Sequence, residues 1–165
     1  MRRGGTLPRK PPSVVAKDVG PGPVCEGKDW KVTAALGEHA QPWLDSLAYR
    51  VDASDGSIVF MGDTRPCQTV LDLARGADVM VAACWDDQDR IERLGAEFGA
   101  EGMPGTLDAG RFAQKVGARK LVLVHTGPEL ARHGDMEKGI GDIARVYDGQ
   151  IVFSEELMSF PLVSR

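Results

Sequence analysis

Two short, uninterrupted apolar runs constrain the fold of this chain more than any other feature of its sequence. The runs are Val79–Ala83 and Leu121–Val124, and both have the length of a strand rather than of a helix. A strand that is apolar on both faces must be covered on both faces, which is typical of parallel strands flanked by helices. Between the two runs, apolar residues recur at helical spacing, at Ala109, Phe112, Ala113 and Val116. The sequence therefore predicts buried strands that alternate with helices in this part of the chain.

The first third of the chain is predicted to be mostly β-structure. Strands are expected over Val14–Val19, Val24–Glu26, Trp30–Leu36, Ala48–Asp52 and Ile58–Met61. The pair Asp55-Gly56 separates the last two strands, and Asp-Gly between apolar runs favours a tight hairpin. A turn is expected at Gly20–Pro23, between the first two strands.

Four helices and a closing strand complete the predicted elements. The helices are expected around Val70–Ala74, Ile91–Phe98, Ala109–Val116 and Met136–Tyr147, and the strand over Ile151–Phe153. Gly99 is expected to end the second helix, while Thr106 caps the third and Gly117 ends it. A β-rich first third followed by alternating strands and helices indicates an α/β (α+β) fold, a layered sandwich with a sheet covered by helices.

Length and composition limit the classes of protein to consider. The 165 residues suit one domain, predicted over residues 13–165, preceded by a flexible basic arm over residues 1–12. The three cysteines are an odd number without a repeated spacing, which argues against a disulfide framework and favours a cytoplasmic location. No apolar run reaches the roughly 20 residues of a membrane span, so no membrane partner is expected. The formal net charge of −4 makes nucleic acid an unlikely partner, although a small basic patch stays compatible with it.

Several local patterns resemble functional motifs without meeting their chemical requirements. Gly22–Lys28 matches most of a phosphate-binding loop, but Asp29 follows where Ser or Thr would hold magnesium, and a strand follows where a helix is needed. His133 lies in a loop-like stretch that is typical of solvated surface. A metal-free hydrolase that uses Cys67 or Cys84 as its nucleophile is one weaker possibility, although an apolar setting favours Cys84 as a core residue.

Three potential metal ligands lie at points where a predicted strand gives way to a loop. His39 follows the β-rich run Trp30–Leu36, Asp63 follows Ile58–Met61, and His125 directly follows Leu121–Val124. Strand ends of layered α/β proteins converge on one edge of the sheet, where functional sites are usually found. Two imidazoles and a carboxylate are ligands that zinc accepts. The sequence therefore predicts that these three side chains lie close together.

Five segments resemble the metallo-β-lactamase fold, in particular its ribonuclease Z-like branch. Val59-Phe-Met-Gly-Asp-Thr-Arg-Pro-Cys67 is similar to the aspartate motif of that family, and Leu71–Val79 fits the helix and strand after it. Thr33–His39 and Ala118–His125 resemble the strands that carry the middle and late histidine ligands, and Tyr147–Phe153 resembles the closing strand. The resemblance covers roughly residues 13–160 and implies a partial αββα sandwich.

The resemblance implies a metal-dependent hydrolase. His39 and His125 would each bind one metal of a two-metal zinc centre, and Asp63 would bridge the metals and take part in catalysis. Such a centre makes a hydroxide that attacks an ester, lactone or phosphodiester bond, because two nearby cations lower the pKa of the water that they share.

Three departures from the family pattern accompany the resemblance. The hallmark His-x-His-x-Asp-His has no counterpart in residues 1–38, so the chain looks like the second half of the fold. Three protein ligands would then hold one or two zinc ions only weakly. The segment Gly102–Thr106 offers no imidazole for proton transfer, and Ala82–Cys84 lacks the acidic residue often found after the preceding strand.

Two main functional hypotheses follow from a half-fold of this kind. The chain is either a hydrolase whose site is completed by another chain, or a noncatalytic half-fold that acts as an interaction or assembly module. Half of a sandwich leaves a sheet face or a central edge uncovered, and exposed apolar area drives association. A homo-oligomer, with a twofold dimer as the commonest form, or a partner chain that supplies the missing half is therefore expected.

Overall fold

The computed structural model describes residues 13–40, 42–98 and 104–162. Its strands are β1 (Gly22–Glu26), β2 (Trp30–Leu36), β3 (Leu47–Ala53), β4 (Gly56–Phe60), β5 (Val79–Ala83), β6 (Lys120–Val124) and β7 (Gln150–Phe153). Its helices are α1 (Gln68–Ala74), α2 (Gln88–Phe98), α3 (Thr106–Val116) and α4 (Asp135–Ala144). The predicted basic arm over residues 1–12 and the predicted helix stop at Gly99 lie outside the described residues.

All seven strands form one sheet in the order of the sequence, from β1 to β7. The pairs from β1 to β4 are antiparallel, and the pairs from β4 to β7 are parallel. The change follows from the connections, because turns and loops without a helix join the first four strands, whereas helices join the later ones. The observed mixture confirms the predicted α/β class, and the Asp55-Gly56 hairpin between β3 and β4 is also confirmed.

The main core lies between the sheet and the helices on one of its faces. Alternate strand residues point into it, and each of Val59, Met80 and Leu121 is at most 2% exposed. Helix α3 contributes the predicted apolar positions of its inner face, among them Phe112 and Val116. Burial of this face explains why the apolar pattern of the helices predicts their positions well.

The opposite face of the sheet carries a second, smaller apolar cluster. Val79, Val81 and Val122 form its centre, and the cluster residues that do not belong to strands are Phe160 and Leu162 of the C-terminal segment. Towards β2, β3 and β4 this face becomes solvent-accessible, with Trp30 45%, Leu36 40% and Phe60 43% exposed. Strand register places their cross-strand partners on the same side. We call the part formed by β2, β3 and β4 the open face.

Three predicted local features differ from the structure. Val14–Val19 is not a strand, and Val14 and Val15 are 76% and 94% exposed, so no layer packs on this β-branched run. Thr106 is the first residue of α3 rather than its cap, and its hydroxyl accepts a hydrogen bond from the backbone N–H of Gln88 instead. Helix α4 ends at Ala144, so Tyr147 lies beyond it, although its side chain is buried.

None of the helices within the described ranges combines the length and the apolar character that crossing a membrane requires.

Candidate functional site

The three predicted ligands all follow strands that run in the same direction. His39 follows β2, Asp63 follows β4 and His125 directly follows β6, and the pairing of the intervening strands makes these three strands point the same way. Their carboxyl ends therefore meet at one edge of the sheet, as the sequence predicts.

Asp63 and His125 lie side by side at this edge. The Nε2 atom of His125 is 3.6 Å from Oδ2 of Asp63, which is longer than a hydrogen bond. Both side chains are nearly half exposed, at 42% for Asp63 and 45% for His125, so solvent reaches them. Because the imidazole of His125 and the carboxylate of Asp63 face each other without forming a hydrogen bond, both keep lone pairs available for a third group.

The backbone of His125 adopts a conformation that is rare for its residue type. Its φ angle is +53°, in the left-handed region that residues with side chains seldom occupy. The ring of Trp85 packs edge-on against the imidazole, with 5.3 Å between the ring centres. The backbone N–H of Gly127 donates to the carbonyl of Trp85 at 2.7 Å. The loop after β6 is therefore fixed by the segment after β5, and strain of this kind is typical of functional sites.

His39 is attached to the Asp63 loop through its preceding residue. Glu38 forms an isolated antiparallel bridge with Arg65, and the backbone N–H of Arg65 donates to the carbonyl of Glu38 at 3.1 Å. The Nδ1 atom of His39 is buried and has no hydrogen-bond partner among the described residues. Buried polar atoms nearly always have a partner, so an unpaired imidazole nitrogen indicates a place for an additional group.

These donors fit part of a metal centre rather than a closed one. Imidazole nitrogens and a carboxylate are suitable ligands for zinc, and the unpaired nitrogen of His39 is the kind of atom that a cation satisfies. In the part of the chain that the structure describes, however, no three side chains of His, Cys, Asp or Glu are grouped closely enough to hold a metal ion. The structure brings Asp63 and His125 together, and the role of all three residues as ligands stays a prediction.

The acidic residues that follow β5 already form ion pairs with basic side chains. Asp86 and Asp87, which follow β5, are buried and form ion pairs with Arg90, at 2.9 Å from the carboxylate of Asp86. Burial would lower the pKa of Arg90, but the surrounding carboxylates outweigh it and raise that pKa. Lys138 lies 3.8 Å from Asp87 as well. These carboxylates therefore stabilise the segment that carries Trp85 and are poor candidates for a further ligand.

The remaining patterns of the sequence have structural explanations. Gly22–Glu26 forms β1 and leads through a tight turn into β2, so the resemblance to a phosphate-binding loop has no helix to support it. His133 is 96% exposed, as predicted, and pairs with Glu137. Burial is the main cause that raises the pKa of Cys84 to about 12, with nearby carboxylates adding to it, and this argues against Cys84 as a nucleophile.

Sequence reasoning did not identify Trp85 or Thr64 as parts of this region. Trp85 contacts His125, and Thr64 is fully buried next to Asp63. A tryptophan after an apolar strand carries no specific signal, because most such residues serve only the core. Thr64 lies inside the aspartate motif, but its pattern alone does not reveal which groups its hydroxyl contacts.

Comparison with known proteins places the chain in a family. The model of the β-lactamase superfamily domain matches residues 3–126, more than half of the chain. Ribonuclease Z of Methanosarcina acetivorans is 34% identical over 110 residues, which cover 66% of this chain and 33% of that protein. Among solved structures, the metallo-β-lactamase fold protein YhfI from Bacillus subtilis has a TM-score of 0.65 at 20% identity, over 81% of this chain and 49% of that one.

A second solved structure gives the same fold. The short form of human tRNase Z has a TM-score of 0.63 at 16% identity, and the match covers 86% of this chain and 46% of that one. The chain thus spans about a third to a half of the length of the proteins that it matches. The matched family domain and the shared arrangement of sheet and helices agree with each other. The chain therefore belongs to the β-lactamase superfamily and has the metallo-β-lactamase fold.

Proposed function

We propose that this protein is a metal-dependent hydrolase of an ester, lactone or phosphodiester bond. The observation that carries the proposal is the pair of Asp63 and His125 at the strand edge, with the unpaired Nδ1 of His39 in the neighbouring loop. Among the three bond types, the name ribonuclease Z of the relatives favours a phosphodiester, and thereby a nucleic acid substrate despite the net charge of −4.

His39, Asp63 and His125 would hold the metal, with zinc as the expected ion. A bound zinc ion supplies a hydroxide nucleophile at neutral pH and polarises the oxygen of the bond to be cleaved. The exposed positions of Asp63 and His125 leave this edge open to a substrate. Asp63 is the proposed catalytic residue, because its carboxylate lies where it can accept a proton from water or orient it.

The chain by itself is expected to bind zinc weakly. A stable zinc site has three or four ligands for one metal, and the described residues bring no such group together. Additional ligands would have to come from another part of a longer chain or from a partner chain. Efficient hydrolysis is therefore proposed for the completed assembly.

Calorimetric titration with zinc tests this proposal. His39→Ala, Asp63→Asn and His125→Ala should each abolish the weak binding of the unaltered protein. His133→Ala is the matched control, since His133 is 96% exposed and lies just before the first residue of α4. This variant should bind zinc as the unaltered protein does. Loss of binding only in the control, or equal binding in all variants, would contradict the assignment. Stoichiometric zinc that survives a chelator wash would show that the ligand set is larger.

A second candidate function, that of an assembly module, is favoured by the open face. Its residues from β2, β3 and β4 include Trp30, Val51 and Phe60, and none of the residues that register places on this face carries a charge. Two copies can therefore pack through it about a twofold axis without like-charge repulsion. Burial of about 600 Å² of apolar surface per chain would contribute roughly 15 kcal/mol before the costs of association. A second copy of this chain is the occupant that we propose.

Sedimentation measurements at micromolar concentration distinguish this function. The unaltered protein should be a dimer, and Trp30→Asp should be a monomer because it places a charge on the open face. Ile140→Asp is the matched control, because Ile140 is similarly exposed, at 39%, but belongs to α4. A compact monomer that binds no apolar dye would contradict the proposed dimer.

A further inference from the structure

The side chain of Thr64 is fully buried between two solvent-accessible neighbours. Thr64 is 0% exposed, whereas the side chains of Asp63 and Arg65 are 42% and 48% exposed. A buried hydroxyl is costly unless it forms hydrogen bonds, so its partners show what it stabilises. Oγ1 of Thr64 accepts a hydrogen bond from the backbone N–H of Glu38 at 2.7 Å and donates one to the carbonyl of Arg65 at 2.9 Å. The hydroxyl therefore connects the residue before His39 with the residue after Thr64.

The surrounding backbone is arranged for this close approach. A Cβ atom at Gly37 would lie 2.8 Å from Oγ1 of Thr64, so only glycine leaves room for the hydroxyl. Ser46 joins the same two segments from the other side, since its hydroxyl donates to the carbonyl of Asp63 and its carbonyl accepts the N–H of Gly37, both at 2.9 Å. The segments that carry His39 and Asp63 are thus held together by side chains as well as by the backbone bridge.

We propose that Thr64 is the positioning residue that holds His39 beside Asp63 through its hydroxyl group. The inference rests on the proposed function, because it gives Thr64 a task in the metal centre that these residues would form. His39 has an unpaired Nδ1, and the next residue, Ala40, has a φ angle of +53°. The anchored backbone of Glu38 therefore fixes the position from which the side chain of His39 extends. Residues that orient metal ligands in this way affect metal affinity.

Three substitutions separate this role from a general contribution to stability. Thr64→Val keeps the shape of the side chain and removes the hydroxyl, while Thr64→Ser keeps the hydroxyl. Thr106→Val is the matched control, because Thr106 is also 0% exposed and its hydroxyl also accepts a backbone N–H, from Gln88 at 3.3 Å. Thermal unfolding of each variant checks that it is folded.

The first measurement uses the metal-free protein with isotope-labelled histidine. The ring resonances of His39 should move in Thr64→Val and stay in place in Thr64→Ser and Thr106→Val. The second measurement is calorimetric titration with zinc, in which Thr64→Val should bind about 10- to 100-fold more weakly than the other proteins. Unchanged His39 resonances in Thr64→Val, equal movement in Thr106→Val, or equal zinc affinity of Thr64→Val and the unaltered protein would each overturn the inference.

The two measurements separate the failure of this inference from the failure of the proposed function. If the unaltered protein binds no zinc, the metal centre is wrong, and the histidine resonances alone decide the role of Thr64. If Thr64→Val does not fold, Gly37→Ala replaces it, because the added Cβ presses on the Thr64 hydroxyl. His39 resonances that do not move in folded Gly37→Ala would then overturn the inference.

Discussion

Asp78 joins three strands at the end of the sheet opposite to the candidate site, and its removal should weaken the fold without affecting the site. Its Oδ2 atom accepts hydrogen bonds from the backbone N–H of Ser57 at 2.7 Å and from the Ser57 hydroxyl at 3.1 Å, and Arg119 pairs with its Oδ1 atom. Ser57 belongs to β4, Asp78 precedes β5, and Arg119 precedes β6. One carboxylate therefore fixes the start of the parallel part of the sheet.

The expected loss for Asp78→Asn is about 2 kcal/mol. Hydrogen bonds to a charged group contribute about 1.5–3 kcal/mol, and the amide keeps one acceptor for Ser57 but loses the charge opposite Arg119. For a chain of this size, such a loss lowers the melting temperature by about 4–8 °C. Thermal unfolding followed by circular dichroism measures it, and Asp55→Asn in the exposed hairpin is the control.

The same carboxylate should make stability depend on pH. Burial alone would raise the pKa of Asp78, but the hydrogen bonds from Ser57 and the Arg119 charge outweigh it, and the pKa lies below its ordinary value. The charged form thus favours the folded state. Its contribution is fully present above the unfolded pKa of about 4 and is lost as the pH falls through the lower folded pKa. Asp78→Asn should lose less stability than the unaltered protein on acidification. An unchanged melting temperature at pH 7, or an identical acid dependence, would refute this reasoning.

Two shorter predictions concern the site and the cysteines. Gly127→Ala should cost about 1–3 kcal/mol of stability and displace the His125 loop, because the new Cβ would lie 2.6 Å from the carbonyl of Trp85. Gly141→Ala in α4, where a Cβ meets nothing within 4 Å, should be neutral or stabilising, and denaturant unfolding compares the two. At pH 8, an alkylating reagent should modify exposed Cys25 and spare buried Cys84, whose pKa of about 12 keeps it protonated. Rapid modification of Cys84 in the folded protein, seen by mass spectrometry, would contradict its place in the core.

The sequence predicts best those elements whose pattern and burial agree. Val79–Ala83 is a strand with the predicted bounds, and the strand Lys120–Val124 begins one residue before the predicted apolar run Leu121–Val124, because both faces of each run are covered and no polar residue interrupts it. Val14–Val19 has an equally β-branched composition but no partner strand, so local propensity alone does not make it a strand. The inner face of α4 also differs from its pattern. Ile140 is 39% exposed, whereas Gly139 allows close contact with Leu130.

The candidate site likewise contains features that the sequence predicts and features that depend on the tertiary structure. Strand ends predict that His39, Asp63 and His125 share one edge, because the direction of each strand is set by its connections. The sequence does not predict the hydroxyl of Thr64 on the His39 segment or the ring of Trp85 on His125. These contacts join residues 26 and 40 positions apart in the sequence, and they depend on the final packing of loops. Loop geometry of this kind carries no periodic signal.

The small number of candidate metal ligands and the open face have one physical explanation, and a single measurement connects them. A lone sheet presents ligands only at its own strand ends, and it leaves apolar residues on the face that a second layer would cover. If a second copy both covers that face and supplies ligands, zinc binding and dimerisation must strengthen each other by the same factor. Trp30→Asp, at the end of β2 away from His39, should then weaken both dimerisation and zinc affinity, and zinc should shift the unaltered protein towards the dimer. Equal zinc affinity of monomeric Trp30→Asp and the unaltered dimer would show that the second copy contributes no ligand, and the missing ligands would have to come from another part of a longer chain or from a different partner chain.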